Sequence, residues 1–192
     1  MEPLAAQPRL SQTGSMKLTS LIRHPGAESA ITGVEVEAWR TSPGMLTLRY
    51  VVTDPGRALV VPTPASGRRD KLWKRTCFEA FILIHGSQAY YELNLSPSTR
   101  WAAYRFDSFR AGMDNAGSID PPMTQWLKTD AGYELRTVAN LSFLAGLRPD
   151  APWQLGLTAV IEDGPDQLSY WALTHPASVQ DFHNAAGWTA QV

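Results

Sequence analysis

The sequence predicts an all-β protein, a two-sheet antiparallel β-sandwich, and three observations carry that reading. Short runs rich in Val, Ile, Leu, Thr, Tyr and Phe alternate apolar and polar side chains at period two. Clusters of Gly, Pro, Asn, Asp and Ser interrupt these runs at close intervals. Almost no stretch carries the period of an amphipathic helix, so the apolar surface must close sheet against sheet.

Residues 1–15, MEPLAAQPRLSQTGS, carry two prolines and no burial pattern, and are expected to be a disordered extension, with Met16 an alternative start. Residues 16–192 are read as one domain. Lys17 to Arg23 is a first strand, ended by His24-Pro25-Gly26. Ile31 to Trp39 follows on its β-branched content, and Met45 to Thr53 opposes it through Thr41-Ser42-Pro43-Gly44. Asp54 to Asp70 is a long proline- and glycine-bearing connection. Later, Met123 to Thr129 and Tyr133 to Ala139 form a hairpin around Asp130-Ala131-Gly132. Leu141 to Leu147 is expected to make one helical turn. Trp153 to Glu162 places Leu155, Leu157, Ala159 and Ile161 on one face, and Asp163 to Gln167 turns it into Leu168 to Leu173. A closing strand is expected at Trp188.

The centre of the chain is Arg69 to Asp107. Thr76 to Ile84 and Ala89 to Ser96 flank the hairpin loop His85-Gly86-Ser87-Gln88. With Ile84 opposite Ala89, Phe78 meets Leu95, Ala80 meets Leu93 and Ile82 meets Tyr91. Taking Pro97 to Arg100 as a four-residue loop pairs Ser96 with Trp101 and carries Ala102, Tyr104 and Phe106 onto the same apolar face. The opposite face then reads Cys77–Ser96–Trp101, Glu79–Asn94–Ala103 and Phe81–Glu92–Arg105. Two readings fit such a face. One is a solvated sheet surface with a Glu92–Arg105 ion pair worth under about 1 kcal/mol. The other is a polar cleft with aromatic walls, whose carboxylate, amide and guanidinium groups bond vicinal hydroxyls while an indole covers the C–H face of a sugar.

Composition sets bounds on partners. The 192 residues are 44% hydrophobic with net charge −1, enough for one core and without the basic excess that nucleic acid requires. Cys77, the only cysteine, is expected to be a buried thiol. No apolar run reaches membrane-spanning length and no signal-peptide pattern follows the start, so no membrane partner is expected and the cytoplasm is the expected compartment. Seven tryptophans and six tyrosines provide for an aromatic ligand platform.

Trp73, Glu79, the YYELNLSPS run and Arg100-Trp101 together resemble the DOMON-like superfamily, which includes the family 9 carbohydrate-binding modules. The SYWALTHP and DFH segments resemble its compact bacterial members. The resemblance implies a β-sandwich that binds a small ligand, a sugar, without transforming it and without a cofactor. It implies Trp73 as one wall of a clamp, Glu79 and Arg100 as hydroxyl-binding groups, and Trp171 or Trp188 as the second wall. With Asn94 from the polar face, these make the candidate ligand site.

Other chemistries are weaker. His175, Asp181 and His183 supply the residue types of a zinc or non-haem iron enzyme, against a plain structural loop. Glu79 and Glu92 resemble a glycosidase pair, but the expected Arg105 contact makes Glu92 structural. Haem-binding members use a Met and a His; Met45, Met113, Met123 and His85 are present without a spacing that selects a pair. A purely structural or protein-binding role is the remaining alternative.

Overall fold

A computed structural model describes residues 15–117 and 119–192. The expected N-terminal extension lies outside the described residues except for Ser15, which opens the first strand. In chain order the strands are β1 (Ser15–Ser20), β2 (Ile22–Arg23), β3 (Gly33–Ser42), β4 (Met45–Thr53), β5 (Gly67–Arg68), β6 (Cys77–Leu83) and β7 (Tyr90–Leu95). They continue as β8 (Arg100–Phe106), β9 (Asp114–Asn115), β10 (Met123–Lys128), β11 (Gly132–Asn140), β12 (Gln154–Gly164), β13 (Gln167–Ala172) and β14 (Ala190–Gln191). Among the described residues the only helical pieces are two three-residue 3₁₀ turns, Leu72–Lys74 and Ala185–Gly187. No described helix is long and apolar enough to cross a membrane.

The strands make two antiparallel sheets. One runs β1-β3-β4-β11-β10; the other runs β2-β13-β12-β6-β7-β8-β5, with β14 beside β12, β9 beside β8, and β5 on β8 the one parallel pair described. Period-two alternation turns Val34, Val36, Ala38, Leu46, Leu48 and Leu135 of the first sheet inward. They meet Phe78, Ala80, Ile82, Tyr91, Leu93, Leu95 and the β12 series Leu155, Leu157, Ala159 and Ile161. Two sheets packed face to face over one such core form a β-sandwich. The thiol of Cys77 is buried, as expected.

Three elements depart from the sequence reading. Lys17 to Arg23 is not one strand: it breaks at buried Leu21, so that β1 joins the first sheet and β2 the second. Leu141 to Leu147 forms successive turns, Leu144 N–H to Leu141 O and Leu147 N–H to Leu144 O, without a helix.

The third departure moves the site. The β6–β7 register is the expected one, with Phe78 opposite Leu95 and Glu79 opposite Asn94. The β7–β8 register is one residue away from it: Leu95 faces Trp101, Leu93 faces Ala103 and Tyr91 faces Arg105. The loop has three residues, not four. Thr99 N–H bonds Ser96 O at 2.9 Å, Ser96 N–H bonds Arg100 O at 2.9 Å, and Thr99 sits in the left-handed region at φ 74°. That conformation usually announces itself by Gly or Asn, and here a β-branched residue holds it. A slip of one residue exchanges the faces of a strand. Trp101 and Ala103 therefore join the core, while Ala102, Tyr104 and Phe106 pack outside it with Phe81, Tyr90 and Trp188.

Candidate functional site

The outer face of the second sheet is buried where a solvated surface would be open. The C-terminal segment lies across it, Asn184 capping the Ala185–Gly187 turn through its side-chain oxygen. The Trp188 ring stacks on Phe81, centroids 5.4 Å apart and 16° from parallel, and its Nε1–H bonds Phe182 O at 2.9 Å. It rests on Gly156, where any Cβ would collide with the indole. Glycine is required there for close approach.

Beside that plug a cavity of about 350 Å³ remains. Its floor is Glu79 from β6, Glu92 from β7 and Val160 from β12. Its aromatic walls are Trp73, Phe106, Tyr170 and Phe182, and Arg110, Met113, Gln180 and His183 complete the lining. Trp73 is half-buried and sets its ring edge-on to Tyr104 at 5.9 Å; the Tyr104 hydroxyl in turn donates to Asp70 Oδ1 at 2.7 Å.

Glu79 and Glu92 are 3% and 4% exposed, and no Arg or Lys pairs with either among the described residues. Glu79 Oε2 accepts from the Thr158 hydroxyl at 3.1 Å, and Glu92 Oε1 from Asn94 Nδ2 at 2.6 Å. Burial, then the neighbouring Glu92 charge, pushes Glu79 up to about 8. Burial pushes Glu92 up to about 7, against the Asn94 bond and the Arg110 charge. The pair therefore retains a proton near neutral pH.

His183 does not neutralise Glu92. Its Nε2 is 3.9 Å from Glu92 Oε2, but burial, then the Arg110 charge, lowers its pKa to about 4, leaving the ring uncharged. Tyr90 Oη accepts from Arg110 N–H at 3.3 Å and is hydrogen-bonded to His183 Nδ1 at 2.7 Å, which leaves Nε2 as the ring nitrogen facing Glu92. Arg110 is tied to Asp181 Oδ1 at 2.8 Å.

The structure brings together Trp73 and Glu79 of the expected set. Asn94 is fully buried behind Glu92 and accepts weakly from Cys77 Sγ at 3.6 Å. Arg100 is not on this cavity; it lines a second depression with Leu72 and Lys74, the residues flanking Trp73. Trp171 faces the inter-sheet core, its Nε1–H bonded to Ser169 Oγ at 2.9 Å, and Trp188 is the plug; neither lines the cavity. The aromatic residues that do are their neighbours in sequence or space, Tyr170 and Phe182. Parity explains the exchange, since adjacent residues of β13 point to opposite faces.

The expected Glu92–Arg105 pair does not form. The register slip turns Arg105 to the Tyr91 side, where it pairs with Asp107, and Glu92 stands opposite Tyr104. Sequence reasoning also passed over Arg110 and Gln180, which sit in irregular segments without a period to assign them a face. His175, Asp181 and His183 do not converge. His175 Nε2 is 2.7 Å from Ile22 O, Asp181 holds Arg110 and the His183 N–H, and His183 bonds Tyr90. Among the described residues no group of three metal-ligating side chains is assembled. Of Met45, Met113, Met123 and His85, only Met113 reaches the cavity.

No protein-family model matches the chain, and no curated protein matches it. Solved structures do. A candidate carbohydrate-binding protein from Bacteroides uniformis superposes with a TM-score of 0.60 at 17% identity, over 82% of this chain and 76% of that one. A family 9 carbohydrate-binding module from Caldicellulosiruptor kristjanssonii, in complex with cellotriose, superposes with a TM-score of 0.52 at 14% identity, over 91% and 80%. The chain has the β-sandwich fold of the family 9 modules.

Proposed function

We propose that this β-sandwich, which shares the fold of family 9 carbohydrate-binding modules, is a non-catalytic carbohydrate-binding domain, its ligand held in the cavity between Trp73 and the C-terminal segment. The observation that carries the reading is the make-up of that cavity. Four aromatic side chains stand over two buried carboxylates that lack a cation, with a guanidinium and an amide at the edge. Aromatic faces take up the C–H surface of a sugar ring. A carboxyl pair that retains a proton offers both a donor and acceptors to vicinal hydroxyls. A volume of about 350 Å³ suits one or two sugar rings.

Calorimetric titration with glucose and with cellotriose tests this. The expected dissociation constant lies between about millimolar and micromolar for ligands of that size. Trp73→Ala should abolish the heat while leaving the far-ultraviolet spectrum unchanged. Absence of binding across a panel of mono- and oligosaccharides, or binding undiminished in Trp73→Ala, would overturn the proposal.

One observation favours a second, hydrolytic reading: Glu79 and Glu92 face one cavity, and Arg105 does not neutralise Glu92. Paired carboxyls with displaced pKa values are the equipment of glycoside hydrolysis. That reading requires release of an aryl group from aryl glycosides, lost in both Glu79→Gln and Glu92→Gln; a silent assay leaves binding alone.

A further inference from the structure

A second depression, of about 580 Å³, lies across the Leu72–Lys74 turn from the aromatic cavity. The side chains of Arg69, Lys71, Lys74, Arg75 and Arg100 line it, which is five of the 17 basic residues in a chain whose net charge is −1. Opposing charge is almost absent. Asp70 is the one acidic residue in the lining, and it is already engaged by the Tyr104 hydroxyl at 2.7 Å and by Arg68 at 2.9 Å. Arg75 is held by Glu162. Arg69, Lys71, Lys74 and Arg100 have no carboxylate partner among the described residues. Arg69, Lys71 and Lys74 are exposed, so the core does not require them there. Clustered like charges repel one another, and a bound anion removes that cost.

A buried hydroxyl points to the same kind of ligand. Ser96 is 5% exposed and lines the depression. Its oxygen accepts from the Ser98 hydroxyl at 2.9 Å and from Ser98 N–H at 3.2 Å. Its own proton has no acceptor among the described residues, and it is free to donate to a group in the pocket. Guanidinium forks, ammonium groups and a hydroxyl donor lining one concavity match the several acceptor oxygens of a tetrahedral anion.

We propose that this pocket is a binding site for a tetrahedral oxyanion, the phosphate or sulfate group of a ligand, separate from the aromatic cavity. The inference does not depend on the carbohydrate reading, because inorganic anions probe this pocket and glucose probes the other.

The test uses the full chain labelled for amide NMR. It is titrated with sodium phosphate and with sodium sulfate, each against sodium chloride and sodium acetate at matched ionic strength. The expected result is saturable shifts for Lys71, Lys74, Ser98 and Arg100 with phosphate or sulfate, and none that saturate with chloride or acetate. Arg100→Gln and Lys74→Gln should each weaken binding by about tenfold, while Lys128→Gln, on the other sheet, leaves it unchanged. If phosphate alone saturates the pocket, its ligand is a phosphate; if sulfate does so equally, the shared tetrahedral geometry is what is recognised. Shifts that merely follow ionic strength, or a wild-type titration in both Arg100→Gln and Lys74→Gln, would overturn the proposal.

Discussion

Replacing Glu79 by glutamine should stabilise the protein in alkaline solution and do little in acid. Glu79 is buried, and no basic side chain pairs with it. Its pKa is displaced from 4.5 to about 8, first by burial and then by Glu92. A carboxyl whose folded pKa is raised binds its proton more tightly in the native state than in the unfolded chain. Stability then falls as pH rises from the unfolded value toward the folded one, and the loss is complete above about pH 8. At about 1.4 kcal/mol per pKa unit, that displacement sets a loss on the order of 5 kcal/mol. Glutamine keeps an oxygen for the Thr158 hydroxyl but never ionises. Urea unfolding followed by tryptophan fluorescence at about pH 5 and about pH 9 isolates the effect as the difference between variant and wild type. The two proteins should agree within about 1 kcal/mol at the lower pH, with the variant ahead by on the order of 4 kcal/mol at the higher. A difference that does not change with pH, or that changes in favour of the wild type, would show that Glu79 ionises at no cost and refute the account of the cavity floor.

Other perturbations test the fold around the site. Leu93→Ala removes a buried β7 side chain from the inter-sheet core and should cost about 2–5 kcal/mol in urea unfolding. Thr99→Gly relieves a non-glycine residue at φ 74° and should raise stability by roughly 1 kcal/mol; a loss would mean that the Thr99 side chain contributes more than its backbone strain. Gly156→Ala puts a methyl group where the Trp188 indole rests, and should cost about 1–3 kcal/mol and alter the near-ultraviolet spectrum as the Trp188–Phe81 stack opens. An unchanged spectrum in that variant would show that the plug moves without consequence.

Periodicity and turn chemistry made much of this protein legible before any coordinates. Alternation along Cys77–Leu83 and Gln154–Gly164 assigned their faces, and His85-Gly86-Ser87-Gln88 gave the β6–β7 register residue for residue. Those features are local: side chains alternate because the backbone is pleated, and a glycine-bearing loop of known length sets which residues oppose. The pairing of Trp73 and Glu79 at one cavity was also within reach, through a family likeness.

What the tertiary structure decided lay where local signals are silent or misleading. Thr99 takes a left-handed conformation that its residue type disfavours, so the loop shortened by one residue and Tyr104, Phe106 and Arg105 changed faces. With that slip Glu92 lost its expected cation and became part of the cavity floor. Tyr170, rather than Trp171, faces the cavity because sheet parity is fixed by pairing with β12, not by the size of the aromatic ring. Phe182 and His183 belong to an irregular segment held by Trp188 on Gly156, a contact between residues far apart in the chain. The sequence by itself therefore determined most of the strands, the core-facing residues of β6, β7 and β12 and one hairpin register, because each depends on neighbours along the chain. Which carboxylates share a cavity, and what covers them, depended on one loop conformation and on the packing of the C-terminal segment, and those are settled only when distant segments meet.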